Sequence, residues 1–350
     1  MTRVLVIFVI ALAASLLFTE PVRQFAFRIR MIDQPGARKI HLKPTPLLGG
    51  VAMYVAMLLA LVAFYPMRDH AQLFALGLGA TLLLLVGTAD DRGWLHHQVK
   101  LFLAMPGAAI IVLASGIHAQ VFSTLLPARL GPSADAVLTV FWITGITAAF
   151  SILDYMDGVC AGIATIASLF IILLAILNDQ LLVAMLASAV GGATLGFLGW
   201  NFTPAKIFMG DGGAMMLGFL AGTLSLMLSI RTSSRTAAWV TPLFILAVPI
   251  LDTTLVSVSR LRRGLIPFTS PGKDHLGHRL ANCGLGIRSS VLVMYTSAII
   301  CGSVAVLCSR LTTGKVAAVA FAGLSLLAGC VAVLERLPYE RQQSGPRTFA

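Results

Sequence analysis

The stretch TLLLLVGTADDRGW, residues 81–94, runs an apolar segment into two adjacent carboxylates, and its reading decides the fold. The apolar run begins near residue 71, so 71–89 is long enough to cross a bilayer, for which about 17 to 20 residues suffice. Asp90 and Asp91 mark where the helix leaves the hydrocarbon, because a carboxylate inside it is costly without a partner or a task. Working outward, comparable runs lie at approximately 2–19, 47–66, 101–118, 136–153, 160–177, 181–200, 213–230, 238–258, 289–309 and 315–334. The expected fold is therefore an all-α integral membrane protein with about eleven transmembrane helices. Residues 1–334 form one polytopic domain, and 335–350 form a polar tail.

Composition excludes a soluble enzyme. Of 350 residues, 58% are hydrophobic and 11% charged, against about 25% charged in soluble domains. The mean hydropathy is +0.91. A net charge of +11 could suggest nucleic acid, but the positive residues fall in blocks between apolar runs, not on a basic face of a soluble module. No nucleic-acid partner is expected. The five cysteines form no CxxC pair, which argues against a disulfide framework or a zinc site.

Charge also orients the chain. Arg3 before an Ala-rich apolar run could mark a signal peptide. Cleavage would leave Arg23, Arg28, Arg30, Arg38, Lys39 and Lys43 outside, against the rule that cytoplasmic loops carry the positive excess. The first run therefore reads as a retained helix. With that loop inside, eighteen of the 25 Lys and Arg residues are cytoplasmic. The expectation is an inner (plasma) membrane protein with its N-terminus outside and its C-terminus in the cytoplasm. Its cytoplasmic segments are 20–46, 89–100, 154–159, 201–212 and 259–288.

Of fourteen acids, eight lie on or near that face: Asp33, Asp90, Asp91, Asp154, Asp157, Asp211, Asp252 and Asp274. Glu20, Asp69, Asp135, Asp179, Glu335 and Glu340 read as solvated loop and tail charges. Adjacent Asp90 and Asp91 raise each other's pKa unless a cation joins them, and Lys100 could return to the same cleft. In SILDYMDG, Asp154 and Asp157 share a helical face at i, i+3. Asp211, flanked by Gly210, Gly212 and Gly213, opens a helix, where backbone N–H groups favour a metal-bound phosphate. A simple N-cap is the competing reading. Residues 259–288 add Arg260, Arg262, Arg263, Lys273, His275, His278, Arg279 and Arg288, and the loop from Asp33 adds Arg38, Lys39 and His41. Carboxylates able to hold Mg²⁺ beside cations able to hold phosphate make a site for phosphoryl chemistry. A transporter or lipid flippase would spread its acids through the membrane's depth; here they gather toward one face.

The segments DQPGARKIHLKPTPLLGG, GTADDRGWLHHQVK, LDYMDG, NFTPAKIFMGDGG and GKDHLGHRL resemble the polyprenyl-phosphate N-acetylhexosamine-1-phosphate transferases of glycosyltransferase family 4. The nearer branch is the WecA/TagO-like enzymes, with MraY more distant. The resemblance implies transfer of a sugar-1-phosphate, by default GlcNAc-1-phosphate, from a UDP-sugar donor to polyprenyl (undecaprenyl) phosphate with release of UMP. It also implies Mg²⁺ (Mn²⁺ as alternative), a cell-envelope glycan as destination and a homodimer. By motif match, Asp211 is the principal Mg²⁺ ligand. Asp90, Asp91, Asp154, Asp157 and Lys100 belong to the reacting centre. Arg38, Lys39, His41, Asn201, Lys206, Lys273, His275, His278 and Arg279 bind substrate, with Arg262, Arg263, Lys273 and Arg279 offered to the donor diphosphate. Ser151 and Tyr155 depart from the family's stretch, which has Asn and Gly at these places. The loop also lacks the MraY histidine cluster, which implies a small UDP-N-acetylhexosamine as donor instead of a peptide-bearing one.

Overall fold

The computed structural model describes residues 1–35, 44–64, 70–95, 97–124, 126–127, 129–230, 235–267 and 272–337. Its helices are α1 (Thr2–Arg28), α2 (Gly49–Phe64), α3 (His70–Asp91), α4 (His97–Val99), α5 (Met105–Ala114), α6 (Gly131–Leu153) and α7 (Val159–Leu177). They continue with α8 (Leu181–Asn201), α9 (Gly210–Met227), α10 (Arg235–Ile245), α11 (Ala247–Arg262), α12 (Leu276–Leu280), α13 (Gly286–Cys308) and α14 (Thr313–Leu334). One two-residue antiparallel pair, β1 (Ile32–Asp33) with β2 (Thr45–Pro46), is the only sheet among the described residues. The all-α expectation is met.

Among the described residues seven helices are long and apolar enough to cross a membrane, or eight if a bent pair counts as one span. Two shorter apolar helices, Gly49–Ala63 and Lys100–Ala114, stand beside them. Each expected apolar run contains helix among the described residues, but several boundaries differ. α1 runs on to Arg28, through residues expected as loop, where Glu20 bonds Arg23 one turn away (2.8 Å) and Gln24 (2.9 Å). The expected span 238–258 is broken between α10 and α11 by 71°. Pro249 has no N–H to return to the carbonyl of Ile245 one turn earlier, so the ladder opens there.

The core is a layered helix bundle. α8 lies between α1 and α7, while α9 packs against both α3 and α6. α9 is the central element: fifteen of its residues are buried, Phe219 completely. α14 is the opposite case, with only Val316 and Val331 buried, and lies at the rim. Asp135 corrects an expectation. It is fully buried in the first turns of α6, and its carboxylate accepts the backbone N–H groups of Val121 (3.0 Å), Phe122 (2.7 Å) and Ser123 (2.9 Å). A carboxylate that satisfies three otherwise orphaned donors can leave water.

Candidate active site

The ends of α3, α6 and α9 meet at one end of the bundle, and backbone fit brings them there. A Cβ on Gly87 of α3 would lie 2.4 Å from Cα of Gly212, and a Cβ on Gly50 would lie 2.4 Å from Cα of Gly213. Only glycine lets α2 and α3 approach the first turn of α9 so closely. Residues 49 and 50 then bond directly to the segment before that turn: Gly49 N to Phe208 O and Gly50 N to Met209 O, both 2.9 Å. Phe208 N donates to Pro46 O (2.9 Å), so β2 is anchored beside the same helix start.

Four carboxylates gather at this end. Asp91 Oδ1 accepts the backbone N–H of Asp211 (3.1 Å), so a residue of α3 serves the exposed donors at the start of α9. Asp211 makes no cap of its own, which removes the N-cap reading; its side chain is turned to other partners. One Asp211 oxygen accepts Lys100 Nζ, and the other accepts Ser151 Oγ (3.2 Å). Lys100 also donates to Asp90 Oδ2 (2.7 Å). Lys100 thus bridges Asp90 and Asp211, while Asp91 turns to the start of α9. Ser151, a departure from the family's stretch, touches the central aspartate.

Asp154 ends α6 and completes the cluster. Burial pushes its carboxyl well above the ordinary range, and the nearby charges of Asp211, Asp91 and Asp157 push it further. No side chain or backbone donor among the described residues hydrogen-bonds it. Four carboxylates therefore crowd this end with one lysine between two of them, and a divalent cation here would offset their burial and mutual repulsion. No group of three or more His, Cys, Asp or Glu among the described residues forms a ready metal cage. Mg²⁺ needs none, since it keeps several waters and takes one or two carboxylates plus substrate phosphates. The residues present fit it.

Asp157 has a different setting. Its Oδ2 accepts Ala205 N (2.9 Å), while Asn201 Oδ1 accepts Gly158 N (3.1 Å) and Asn201 Nδ2 donates to Ile207 O (3.0 Å). Tyr295 Oη donates to Gly158 O from α13. Turn 154–158 and segment 201–207 are thereby stapled together. Asn201, expected to bind substrate, is buried with both ends of its amide used inside the protein. Lys206 lies exposed over the Trp200 ring, 5.3 Å from its centroid, and its charge acts on Glu20.

The loop after α11 is built around buried charge. Asp274 receives Arg260 through both oxygens (3.1 and 2.9 Å) and also Arg263. Burial pushes Asp274 up, but the hydrogen bonds and charge of Arg260, with His275 and Arg263, outweigh it and hold the carboxyl below its usual range. Arg279 is fully buried and donates to Asp274 O (2.9 Å), Leu334 O (2.7 Å), Ser259 Oγ (3.0 Å) and Glu335 Oε2 (3.1 Å). A guanidinium so engaged ties the loop to the end of α14, which corrects the expectation that it faces the donor diphosphate. Arg263 is likewise committed to Asp274, whereas Arg262 is exposed and Lys273 half-buried.

His275 pairs with Asp252 Oδ2 (3.1 Å), whose Oδ1 accepts Leu276 N (2.6 Å). The His275 and His278 rings both lie against Tyr155, with centroids 4.1 and 4.9 Å away. Asp252 and Tyr155 were not among the expected site residues. The signal for Asp252 was a lone acid in an otherwise apolar run; Tyr155 had only its departure from glycine. Arg38, Lys39 and His41 lie outside the described residues.

With this arrangement in view, the comparisons are decisive. Residues 73–229, which carry Asp90, Asp91, Lys100, Asp154 and Asp211, match the model of glycosyl transferase family 4. A probable undecaprenyl-phosphate N-acetylglucosaminyl 1-phosphate transferase of Bacillus subtilis is 38% identical over 298 residues, 84% of this chain and 82% of that protein. The chain belongs to glycosyl transferase family 4. A decaprenyl-phosphate N-acetylglucosaminephosphotransferase of Mycolicibacterium smegmatis is 32% identical, covering 78% of this chain and 74% of its own length. An undecaprenyl-phosphate alpha-N-acetylglucosaminyl 1-phosphate transferase of Escherichia coli K12 is 29% identical, covering 83% and 80%. In this family member, all five of those charged residues lie at one end of the bundle.

Proposed function

We propose that this membrane enzyme transfers GlcNAc-1-phosphate from UDP-GlcNAc to a polyprenyl phosphate, giving polyprenyl-diphospho-GlcNAc and UMP as the first step of a cell-envelope glycan. The observation that carries the reading is the cluster of Asp90, Asp91, Asp154 and Asp211 around Lys100, at the point where helices from separate parts of the chain converge. The names of the relatives supply the polyprenyl phosphate and the GlcNAc-1-phosphate group; the UDP carrier comes from the family resemblance.

A phosphate monoester has its second pKa near ~6, so the lipid phosphate arrives mostly as a dianion and already nucleophilic. One of its oxygens attacks the sugar-bearing phosphorus of the donor. The bond from that phosphorus to the bridging oxygen breaks, and UMP leaves with the electron pair. No proton needs to be abstracted, so Asp90 and Asp91 position groups instead of acting as a base. The barrier is the approach of two anions, which cations must lower. Lys100 carries one positive charge at the site, held in place by Asp90 and Asp211. Asp211 with Asp91 or Asp154 would hold Mg²⁺, which supplies charge neutralisation at the phosphates.

The membrane side follows from the positive charge: the site faces the cytoplasm of the plasma membrane, where nucleotide sugars are, with about eleven crossings and the N-terminus outside. A panel of UDP-sugars offered to the purified enzyme with polyprenyl phosphate tests the donor. UDP-GlcNAc should release UMP fastest; faster release from UDP-MurNAc-pentapeptide would overturn the assignment.

A further inference from the structure

The turn holding Asp154 and Asp157 and the loop holding His275 and His278 come from separate parts of the chain, and Tyr155 stands between them. Its hydroxyl accepts the backbone N–H of Gly277 (2.8 Å) and donates to Met294 Sδ (3.7 Å). Its ring stacks on His275 at 4.1 Å with 24° between the planes, and meets His278 at 4.9 Å and 45°. The fit is close: a Cβ on Gly277 would lie 2.8 Å from the Tyr155 hydroxyl. On the far side, His275 is held by Asp252, which also accepts Leu276 N (2.6 Å).

The two sides differ in how they are fastened. Turn 154–158 is pinned to segment 201–207 through Asn201 and Asp157 and to α13 through Tyr295, so it is a fixed post. Loop 275–278 is joined to that post by Tyr155 through one hydrogen bond and two ring faces. A glycine at 155 would offer neither. An aromatic ring also carries little rotational entropy to lose, so the link is made at small cost.

We propose that Tyr155 is a positioning residue for donor binding: it sets the distance between the histidine loop and the carboxylate turn, so that both close on the donor as one body. This rests on the proposed reaction, with the donor's phosphates at the carboxylates, and on the motif match that gives His275 and His278 to substrate binding. Tyr155 touches no reacting atom in this role. Its loss acts on donor affinity, not on the chemical step.

Two measurements on the intact enzyme separate this inference from the reading beneath it. Hydrogen exchange in the absence of substrate reports the Gly277 amide directly. Tyr155→Phe keeps the ring and removes the acceptor, so exchange in the peptide spanning 275–280 should rise; unchanged exchange would overturn the inference whatever the enzyme's substrate. With UDP-GlcNAc, Tyr155→Phe should raise the donor KM about three- to tenfold, the worth of one hydrogen bond. Tyr155→Leu should raise it further. Values of kcat and of the polyprenyl phosphate KM should stay within about twofold. A fall in kcat with a rise in both KM values would indicate a merely structural residue and overturn the proposal. If exchange rises but the wild type releases no UMP from any UDP-sugar, the reaction is misassigned while the coupling of the two segments stands.

Discussion

Asp211 accepts Lys100 on one oxygen and Ser151 on the other, so its amide analogue keeps the shape of the site and loses the charge. Asp211→Asn is expected to lower kcat/KM by about 100-fold or more while the purified protein elutes and unfolds as the wild type does. Asp154 makes a pH-dependent contribution. Its pKa is raised in the folded state, so the folded protein holds this proton where the unfolded chain has lost it, and stability falls as pH rises from the ordinary carboxylate pKa through the raised one. Asp154→Asn should therefore raise the thermal midpoint in metal-free buffer at pH 7.5 by about 2 °C or more, and the difference should vanish near pH 4. Arg279→Ala should cost about 3–5 kcal/mol of stability, read in detergent unfolding, because it removes a fully buried guanidinium and strands a part-buried carboxylate and two carbonyls. The carboxylates of the centre were legible because a charge at the end of an apolar run is costly to keep unless it has a partner or a task. Arg279 and Asn201 were misread because residue type tells what a side chain can bond, not whether the protein has already bonded it. The partners of Arg279 at Leu334 and Glu335 lie more than fifty residues away.

Helices α3 and α9 approach so closely at Gly87 and Gly212 that no side chain fits between them. Gly87→Ala should overpack the contact by about 1–3 kcal/mol and displace Asp90 and Asp91 from Asp211, lowering UMP release more than the loss of folded protein explains. Gly77→Ala, on the same helix with open space around it, should be near neutral. The helices themselves were readable from hydropathy, since an apolar run long enough to cross is rare without that use. The 71° break after Ile245 was not, because a hydropathy window sees composition and not direction. Pro242 and Pro249 were its only signals. The extension of α1 to Arg28 escaped for a related reason: the bonds of Glu20 with Arg23 and Gln24 support helix in a polar segment where hydropathy had already ended.

At the scale of the whole molecule, the chain binds its functional residues into one end of a bundle and leaves the rest to lipid. That one end faces the cytoplasm in the proposed orientation. Single cysteines at Lys206 and Arg262, both exposed, in a background without the five native cysteines should react with a membrane-impermeant reagent only from the cytoplasmic side. A cysteine at exposed Arg129 should react only from the other; labelling of 206 and 129 from the same side would remove the one-face assignment. The central claim is that the sugar leaves the donor together with one phosphate, at the carboxylate cluster. Donor UDP-GlcNAc carrying ³²P in its sugar-linked phosphate tests it most directly, with polyprenyl phosphate and Mg²⁺ and with chelator in a parallel reaction. The label should pass into the organic phase as polyprenyl-diphospho-GlcNAc with unlabelled UMP left in water, in the wild type with metal and not in Asp211→Asn. Label left in water as UDP while the sugar reaches the lipid, or equal transfer by Asp211→Asn, would contradict it.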